Sequence, residues 1–348
     1  MADKLRWGVL GTALISRKCV MPAISASRNG VVHGLATRRP SEAETLVEEH
    51  GIALLTEEYD DLLADPAIDA IYVPLPNHLH KQWVIRALEA GKHVLCEKPL
   101  ACSAAEAVKM AEAAAMSGRL LMEAQMYRFH PRTKRIEEMV AEGAIGIPRL
   151  VRAAFCFSMS DDLLAKGNNY RLNSVRGGGA LLDVGCYGVG IARLFLKLRV
   201  SRVQALALDR NNSGVDVHVV GNLDFAGAAL ASIEASFCSG LQQTYAVIGS
   251  AGVIEVPHDG FIPWDNETHI FHRVGDNDTA EPIVIPGADQ YRLMVEHFGD
   301  RVADGGAPLI TLEDSIRTLA VLDALSESAR SGTSVEVKEP PGHWHGEE

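Results

Sequence analysis

Over the first third of this chain, short continuous apolar runs alternate with segments whose apolar positions recur every three to four residues. This is the pattern of buried strands separated by amphipathic helices. The runs fall at residues 5–10, 31–36, 70–73, 93–96 and 120–123. After the first, the turn Gly11 to Ser16 leads into a helical segment with Val20, Ala23 and Ile24 on its apolar face. Ser41-Glu-Ala-Glu44 reads as a capping box opening a helix that Gly51 ends, and residues 81–90 read as a helix. Ser103-Ala-Ala-Glu106 is a second capping box, opening an Ala-rich helix that stops near Gly118. Strand and helix in alternation predict a doubly wound parallel sheet of the Rossmann type.

The rhythm then changes. A helix is expected over 133–142, a strand over 149–158, a loop rich in Asn and Gly over 166–179, and a helix over 186–196. Strand-like runs follow at 203–209, 215–225, 228–238, 242–249 and 252–256, joined by short turns that favour antiparallel pairing. Amphipathic helices over 289–304 and 312–331 close the pattern, and the last residues read as a surface tail. The fold class expected is α/β: an N-terminal Rossmann domain (1–124) followed by an α+β domain (125–348) with a mostly antiparallel sheet. A chain of 348 residues can bury both cores without disulfides or metals.

Charge narrows the partners. The chain carries 45 Asp and Glu against 33 Lys and Arg, a net charge of -12, and no basic run longer than Arg38-Arg39. Phosphate backbones are held by clustered cations, so no nucleic-acid partner is expected. Residues 1–6 lack the apolar segment of a signal peptide, and no apolar run of about 18 residues occurs, so the expected location is the cytoplasm, away from membranes. The six cysteines form no C-x-x-C, and the pairs His78-x-His80 and His343-x-His345 have no third ligand at metal spacing, so no metal is expected.

The turn Gly11-Thr12-Ala13-Leu14-Ile15-Ser16 stands where a G-x-G-x-x-G dinucleotide loop would stand, between a first strand and a first helix. Only its first glycine is present. At the end of the second strand, where an NAD enzyme offers an acid to the ribose hydroxyls, this chain has Thr37-Arg38-Arg39. A guanidinium suits a 2′-phosphate in charge and geometry, so NADP(H) is expected ahead of NAD(H).

Cys96-Glu97-Lys98-Pro99, following Pro74-Leu-Pro-Asn77-His-Leu-His80, resembles the glucose-fructose oxidoreductase / inositol dehydrogenase (Gfo/Idh/MocA) family. The resemblance continues through Met126-Tyr-Arg128-Phe-His130-Pro131, Gly177-Gly-Gly179-Ala-Leu-Leu-Asp183-Val-Gly185-Cys-Tyr187 and Gln290-Tyr291, nearly the whole chain. It implies an open sheet in the second domain whose far face makes oligomer contacts, hence a homo-oligomer, dimer or tetramer. It implies hydride transfer on sugars, inositols or related polyols. Tyr187, where many relatives carry His, is similar to the branch with glucose-fructose oxidoreductase, dimeric dihydrodiol dehydrogenase and NADP-dependent xylose dehydrogenases. It further implies a cis bond before Pro99 and Lys98 near nicotinamide and substrate.

Oxidising a secondary alcohol removes a hydroxyl proton as carbon gives up hydride, so a base must stand beside the oxygen. Tyr187 is the candidate, with Lys98 expected to favour its phenolate, or, in reverse, to stabilise a developing alkoxide that Tyr187 protonates. Asp183, four residues earlier, is expected to orient Tyr187, Lys98 or a substrate hydroxyl, or to cap the helix, roles that can coexist. Gly11, Thr12, Ala13, Leu14, Ile15, Thr37, Arg38, Arg39, Pro76, Asn77, His80, Glu97, Lys98 and Arg128 are the expected cofactor contacts. Lys98, Arg128, Asn169, Arg171, Asp183 and Tyr187 are the expected substrate contacts. The glycines at 177–179 read as a flexible approach to the site. Two other functions fit the sequence: a dihydrodiol or inositol dehydrogenase, and a non-catalytic dinucleotide sensor.

Overall fold

The computed structural model describes residues 4–166, 169–209, 214–275 and 279–339; the tail with His343 and His345 lies outside them. The N-terminal sheet holds β1 (Leu5–Leu10), β2 (Gly30–Ala36), β3 (Leu54–Thr56), β4 (Ala70–Val73), β5 (His93–Glu97) and β6 (Leu121–Ala124). Their order is β3-β2-β1-β4-β5-β6, all parallel. Strand order reverses beside β1, and the crevice at such a switch point is where doubly wound sheets take ligands. The intervening helices are α1 (Met21–Ala26, continuing a wider turn at Ser16–Val20), α2 (Glu44–His50), α3 (Tyr59–Ala64), α4 (Asn77–Glu89) and α5 (Ala104–Ser117).

The second sheet runs β14-β13-β12-β11-β7-β10-β9-β8-β15. Its strands are β7 (Pro148–Ser158), β8 (Arg202–Leu208), β9 (His218–Phe225), β10 (Ala229–Ser236), β11 (Cys238–Gly249), β12 (Gly252–Val256), β13 (Thr268–Val274), β14 (Glu281–Ile285) and β15 (Val335–Glu336). All its pairs are antiparallel except β7 with β10. Five more helices complete the chain: α6 (Pro131–Ala141), α7 (Asp161–Lys166), α8 (Cys186–Leu196), α9 (Gln290–Asp304) and α10 (Leu312–Ser331). Helix α8 lies against β7 and β10 at Gly188, where a Cβ would stand 3.1 Å from the side chain of Ile233. The helical run Ser174–Leu196 is long and apolar enough to span a membrane, a length the sequence pattern did not suggest, but 89% of its apolar window is buried inside the protein. It is the core helix under the second sheet.

Both expected amphipathic C-terminal helices form; α9 returns to the first sheet, while α10 packs along β8 of the second sheet and against α5. Phe298 of α9 packs on Trp7 of β1 with ring centroids 4.9 Å apart, and Asn29 donates to the Glu296 carbonyl at 2.8 Å. The capping boxes split. Ser103 caps α5 by accepting from the Glu106 N–H at 3.3 Å, whereas Ser41 caps nothing, because residues Pro40–Glu42 form a 3-10 turn and α2 starts behind Ala43. Gly51 and Gly118 end their helices in the left-handed region as expected.

Candidate active site

A cleft of about 670 Å³ opens between the two sheets. One wall is the turn after β1, with Ala13, Leu14 and Ile15, together with Pro76, Asn77, Glu97 and Lys98 from the ends of β4 and β5. The other is built from the second sheet and α8.

Gly11 has φ +91, open to glycine and strained for any other residue, so the one glycine retained in the turn is the one the backbone requires. The helix that follows starts with N–H groups lacking intrahelical acceptors, beside residues that line the cleft. An ideal Cβ on Gly11 would stand 3.5 Å from the Tyr59 hydroxyl, and the Arg38 charge acts on the Tyr59 phenol, opposing its larger shift upward by burial. Arg38 is exposed and forms no ion pair among the described residues; Arg39 is tied to Glu42 at 3.2 Å. The turn and a free guanidinium at the end of β2 therefore fit a dinucleotide carrying a 2′-phosphate. Thr37 is buried, its hydroxyl 3.4 Å from the Arg39 N–H.

At the far end of the cleft, Lys98 follows β5 and is joined to Pro99 by a cis peptide bond, as the resemblance implied. Its ammonium donates to the Asp183 carbonyl at 2.7 Å and to Asp183 Oδ1 at 3.3 Å, and lies 5.0 Å from the centre of the Tyr187 ring. The other Asp183 oxygen accepts from Arg171 Nε at 2.7 Å. Burial opposes the charged forms, but the Lys98 and Arg171 cations hold the Asp183 carboxyl below its usual range, and Asp183 in turn holds Lys98 well above its own. Asp183 and Tyr187 lie one helical turn apart and both meet Lys98, as their spacing suggested. Asp183 does not cap the helix. Asp216 does, accepting from the Leu181 N–H at 2.7 Å.

Tyr187 is 4% exposed, packed against Tyr127, Phe155 and Phe261, and among the described residues its hydroxyl has one weak partner, Met126 Sδ at 3.8 Å. Burial raises this phenol above its ordinary value despite Lys98, which pulls it down. Lys98 thus favours the phenolate as expected, but burial outweighs it and the net shift of the phenol is upward.

Several expected contacts have other partners. Arg128 is absent from the cleft lining and reaches Asp314 of α10 at 3.2 Å. Asn169 caps a short turn by accepting from the Arg171 N–H at 3.1 Å. His80 is fully buried and faces the carbonyls of Pro99 and Leu75 at 3.0 and 2.7 Å, so it fastens the two loops beside Lys98. His130 caps α6. Glu97 accepts from the Tyr72 hydroxyl at 2.6 Å and from the Lys98 N–H at 3.3 Å. Asn77 donates to the Gly177 carbonyl at 2.7 Å. The glycines at 177–179 are packed, not flexible: a Cβ on Gly178 would lie 2.4 Å from the Arg171 carbonyl, and one on Gly179 would lie 2.4 Å from Asp216 Oδ1. The sequence reading missed Tyr170, Leu241, Gln243, Ile262 and Trp264 in the lining. Leu241 and Gln243 lie on β11 and Ile262 and Trp264 between β12 and β13, while Tyr170 sits in the loop ahead of α8, beside Asn169 and Arg171.

Known proteins share this fold. Residues 5–125 match the oxidoreductase family with an NAD-binding Rossmann fold, and residues 133–255 match the GFO/IDH/MocA C-terminal domain. The chain is 37% identical over 336 residues to D-xylose 1-dehydrogenase (NADP(+)) 2 of Haloferax volcanii, covering 96% of this chain and all of the other. It is 34% identical over 331 residues to a dTDP-3,4-didehydro-2,6-dideoxy-alpha-D-glucose 3-reductase of Actinomadura kijaniata, covering 94% of this chain and 97% of the other. A crystal structure of a 3-ketoreductase from Actinomadura kijaniata with NADP and TDP-benzene superposes with a TM-score of 0.87 at 32% identity, covering 94% of this chain and 98% of that one. An aldose-aldose oxidoreductase from Caulobacter crescentus with glycerol superposes with a TM-score of 0.86 at 27% identity, covering 96% of this chain and 100% of that one. This chain is therefore a member of the GFO/IDH/MocA oxidoreductase family, with both of that family's domains.

Proposed function

We propose that this enzyme moves hydride between NADP(H) and a carbon of a sugar or polyol, with Tyr187 handling the proton and Lys98 the charge. The observation that carries this is the meeting of Lys98, Asp183 and Tyr187 in the same cleft as the Gly11 turn. Gly11 to Ile15 would hold the pyrophosphate, Arg38 the 2′-phosphate, and Pro76, Asn77 and Glu97 the portion nearer the reacting atoms. The relatives described as NADP-dependent or bound to NADP support the same choice of cofactor. Bound nicotinamide supplies or accepts the hydride.

In ketone reduction the carbonyl oxygen gains negative charge as hydride arrives. The neutral, weakly bonded Tyr187 hydroxyl is poised to protonate it, and the Lys98 ammonium stabilises the charge before the proton moves. Asp183 keeps Lys98 protonated and is itself held in place by Arg171. In alcohol oxidation Tyr187 takes the hydroxyl proton, which requires the phenolate that Lys98 favours. We assign residues 1–124 to dinucleotide binding and 125–348 to substrate binding and assembly. We place the enzyme in the cytoplasm as a homo-oligomer that pairs through the second sheet.

A spectrophotometric screen tests the function: NADP+ reduction across aldoses, inositols and dihydrodiols, and NADPH oxidation with keto-sugars. Turnover in the sugar series is expected. Tight cofactor binding with no turnover in either direction would make the protein a sensor and refute the proposal.

A further inference from the structure

Residues 257–267 connect β12 to β13 and carry Trp264 at the edge of the cleft. Trp264 is 55% exposed and has φ +55. It occupies the second position of a turn closed by the Asn266 N–H on the Pro263 carbonyl at 3.4 Å, a place that favours Gly, Asn or Asp. A bulky side chain there is a true backbone outlier, and such strain persists only where the surroundings impose it. They do so here. Arg132, fully buried, donates to the carbonyls of Asp259 and Gly260 at 2.8 and 2.6 Å. Gln243 accepts from the Ile262 N–H at 3.1 Å, and Gly287 lies so close that a Cβ would stand 1.9 Å from the Asp265 carbonyl. The loop is a rigid mount, and its tip presents an indole ring.

The charges of the cleft narrow what that ring meets. Lys98 and Arg171 both lie against Asp183, and the third cation of the lining, Lys18, stands on the helical turn after Gly11. The part of the lining that β7, β11 and the β12–β13 connection supply is neutral: Phe155, Phe157, Leu241, Gln243, Ile262 and Trp264. A diphosphate seated there would meet no cation in that part of the lining. An uncharged ring with one apolar face would instead cover exposed Trp264 and Leu241, the kind of flat contact in which indole rings contribute most.

We propose that Trp264 is the stacking platform for an uncharged cyclic alcohol or ketone, and that this cleft selects free ring-form sugars or polyols over nucleotide-linked ones. The proposal rests on the hydride-transfer function above. Among the relatives, it sets this chain with the xylose dehydrogenase and apart from the dTDP-sugar reductase.

The test is steady-state kinetics of the full chain with NADP(H), using D-xylose as the neutral ring and a dTDP-linked sugar as the charged one, beside melting curves. Trp264→Ala and Trp264→Gly are expected to raise the KM for the neutral sugar about tenfold to a hundredfold, the value of one well-buried aromatic anchor. We expect kcat to stay within about threefold and Trp264→Phe to restore most of the loss. Trp264→Gly relieves the positive φ, so its Tm is expected to equal or exceed that of the parent. A KM unchanged in both small variants overturns the platform, as does a marked fall in Tm with Trp264→Gly, which would make Trp264 a fold residue. A dTDP-sugar turned over more efficiently than the neutral ring overturns the charge argument. No turnover of any alcohol or ketone refutes the underlying hydride-transfer function instead.

Discussion

Asp183→Asn removes one charge and almost no volume from the centre of the site. The carboxylate is nearly buried and stands between two cations, with Arg171 Nε at 2.7 Å and Lys98 Nζ at 3.3 Å. Removing one member of such a buried group leaves uncompensated charge, which typically costs about 3–5 kcal/mol. Asparagine keeps an oxygen for Arg171, and Lys98 keeps the backbone carbonyl of residue 183 at 2.7 Å, so a loss near the lower end, about 3 kcal/mol, is expected. In urea that is a midpoint about 1 M lower, with an m-value of about 3 kcal/mol/M. The pH dependence has a definite sign. The Asp183 carboxyl is depressed by the two cations, so its contribution is present above about pH 4 and lost as pH falls through the lower folded value. Lys98 is raised, so its share is present below about pH 10 and lost as pH climbs through the folded value. The gap between parent and variant is widest between these limits and narrows in acid. Lys98→Met combined with Asp183→Asn must show non-additive losses, coupled by about 1 kcal/mol or more. Equal stability of Asp183→Asn and the parent at pH 7, or strict additivity in the double variant, would refute the coupled cluster.

Other outcomes follow from the same geometry. Arg38→Ala should weaken NADPH by about tenfold or more while leaving NADH nearly unchanged, and the difference should shrink in high salt; equal weakening of both would contradict 2′-phosphate recognition. Gly11→Ala, at φ +91, should cost roughly 1–3 kcal/mol of stability or the equivalent in dinucleotide affinity, read by calorimetry. Arg132→Met should lower the unfolding free energy, read by urea denaturation, by about 2 kcal/mol or more, because the Asp259 and Gly260 carbonyls lose their donor. Since burial raises Tyr187, kcat/KM for alcohol oxidation should climb with pH across pH 7 to about 10 while ketone reduction stays nearly flat; a plateau in oxidation below about pH 8 would contradict a protonated phenol.

The architecture was legible wherever local pattern and burial agree. Continuous apolar runs gave the five main strands of the first sheet, and Gly51 and Gly118 marked the helix ends they occupy. The three-residue strand Leu54–Thr56 is too short to carry a period, and Glu281–Ile285 contains Pro282, tolerable only because β14 is a sheet edge. Lys98, Asp183 and Tyr187 were legible because the motif residues keep fixed spacings on a strand end and a helix. Arg128 and Asn169 could not be sorted from true lining residues, since their partners, Asp314 and the Arg171 backbone, are set by tertiary packing or local turn geometry that one sequence does not reveal. The effect of burial on Tyr187 was invisible for the same reason: it comes from Tyr127, Phe155 and Phe261, which converge only in the folded chain.

Single-turnover hydride transfer from bound NADPH to a keto-sugar, followed at 340 nm (about the nicotinamide band) in Tyr187→Phe and Lys98→Met, tests the central claim most directly. Each variant should bind NADPH normally and transfer hydride slower by about a hundredfold or more. Hydride transfer at the parental rate in either variant would contradict the roles assigned to this pair.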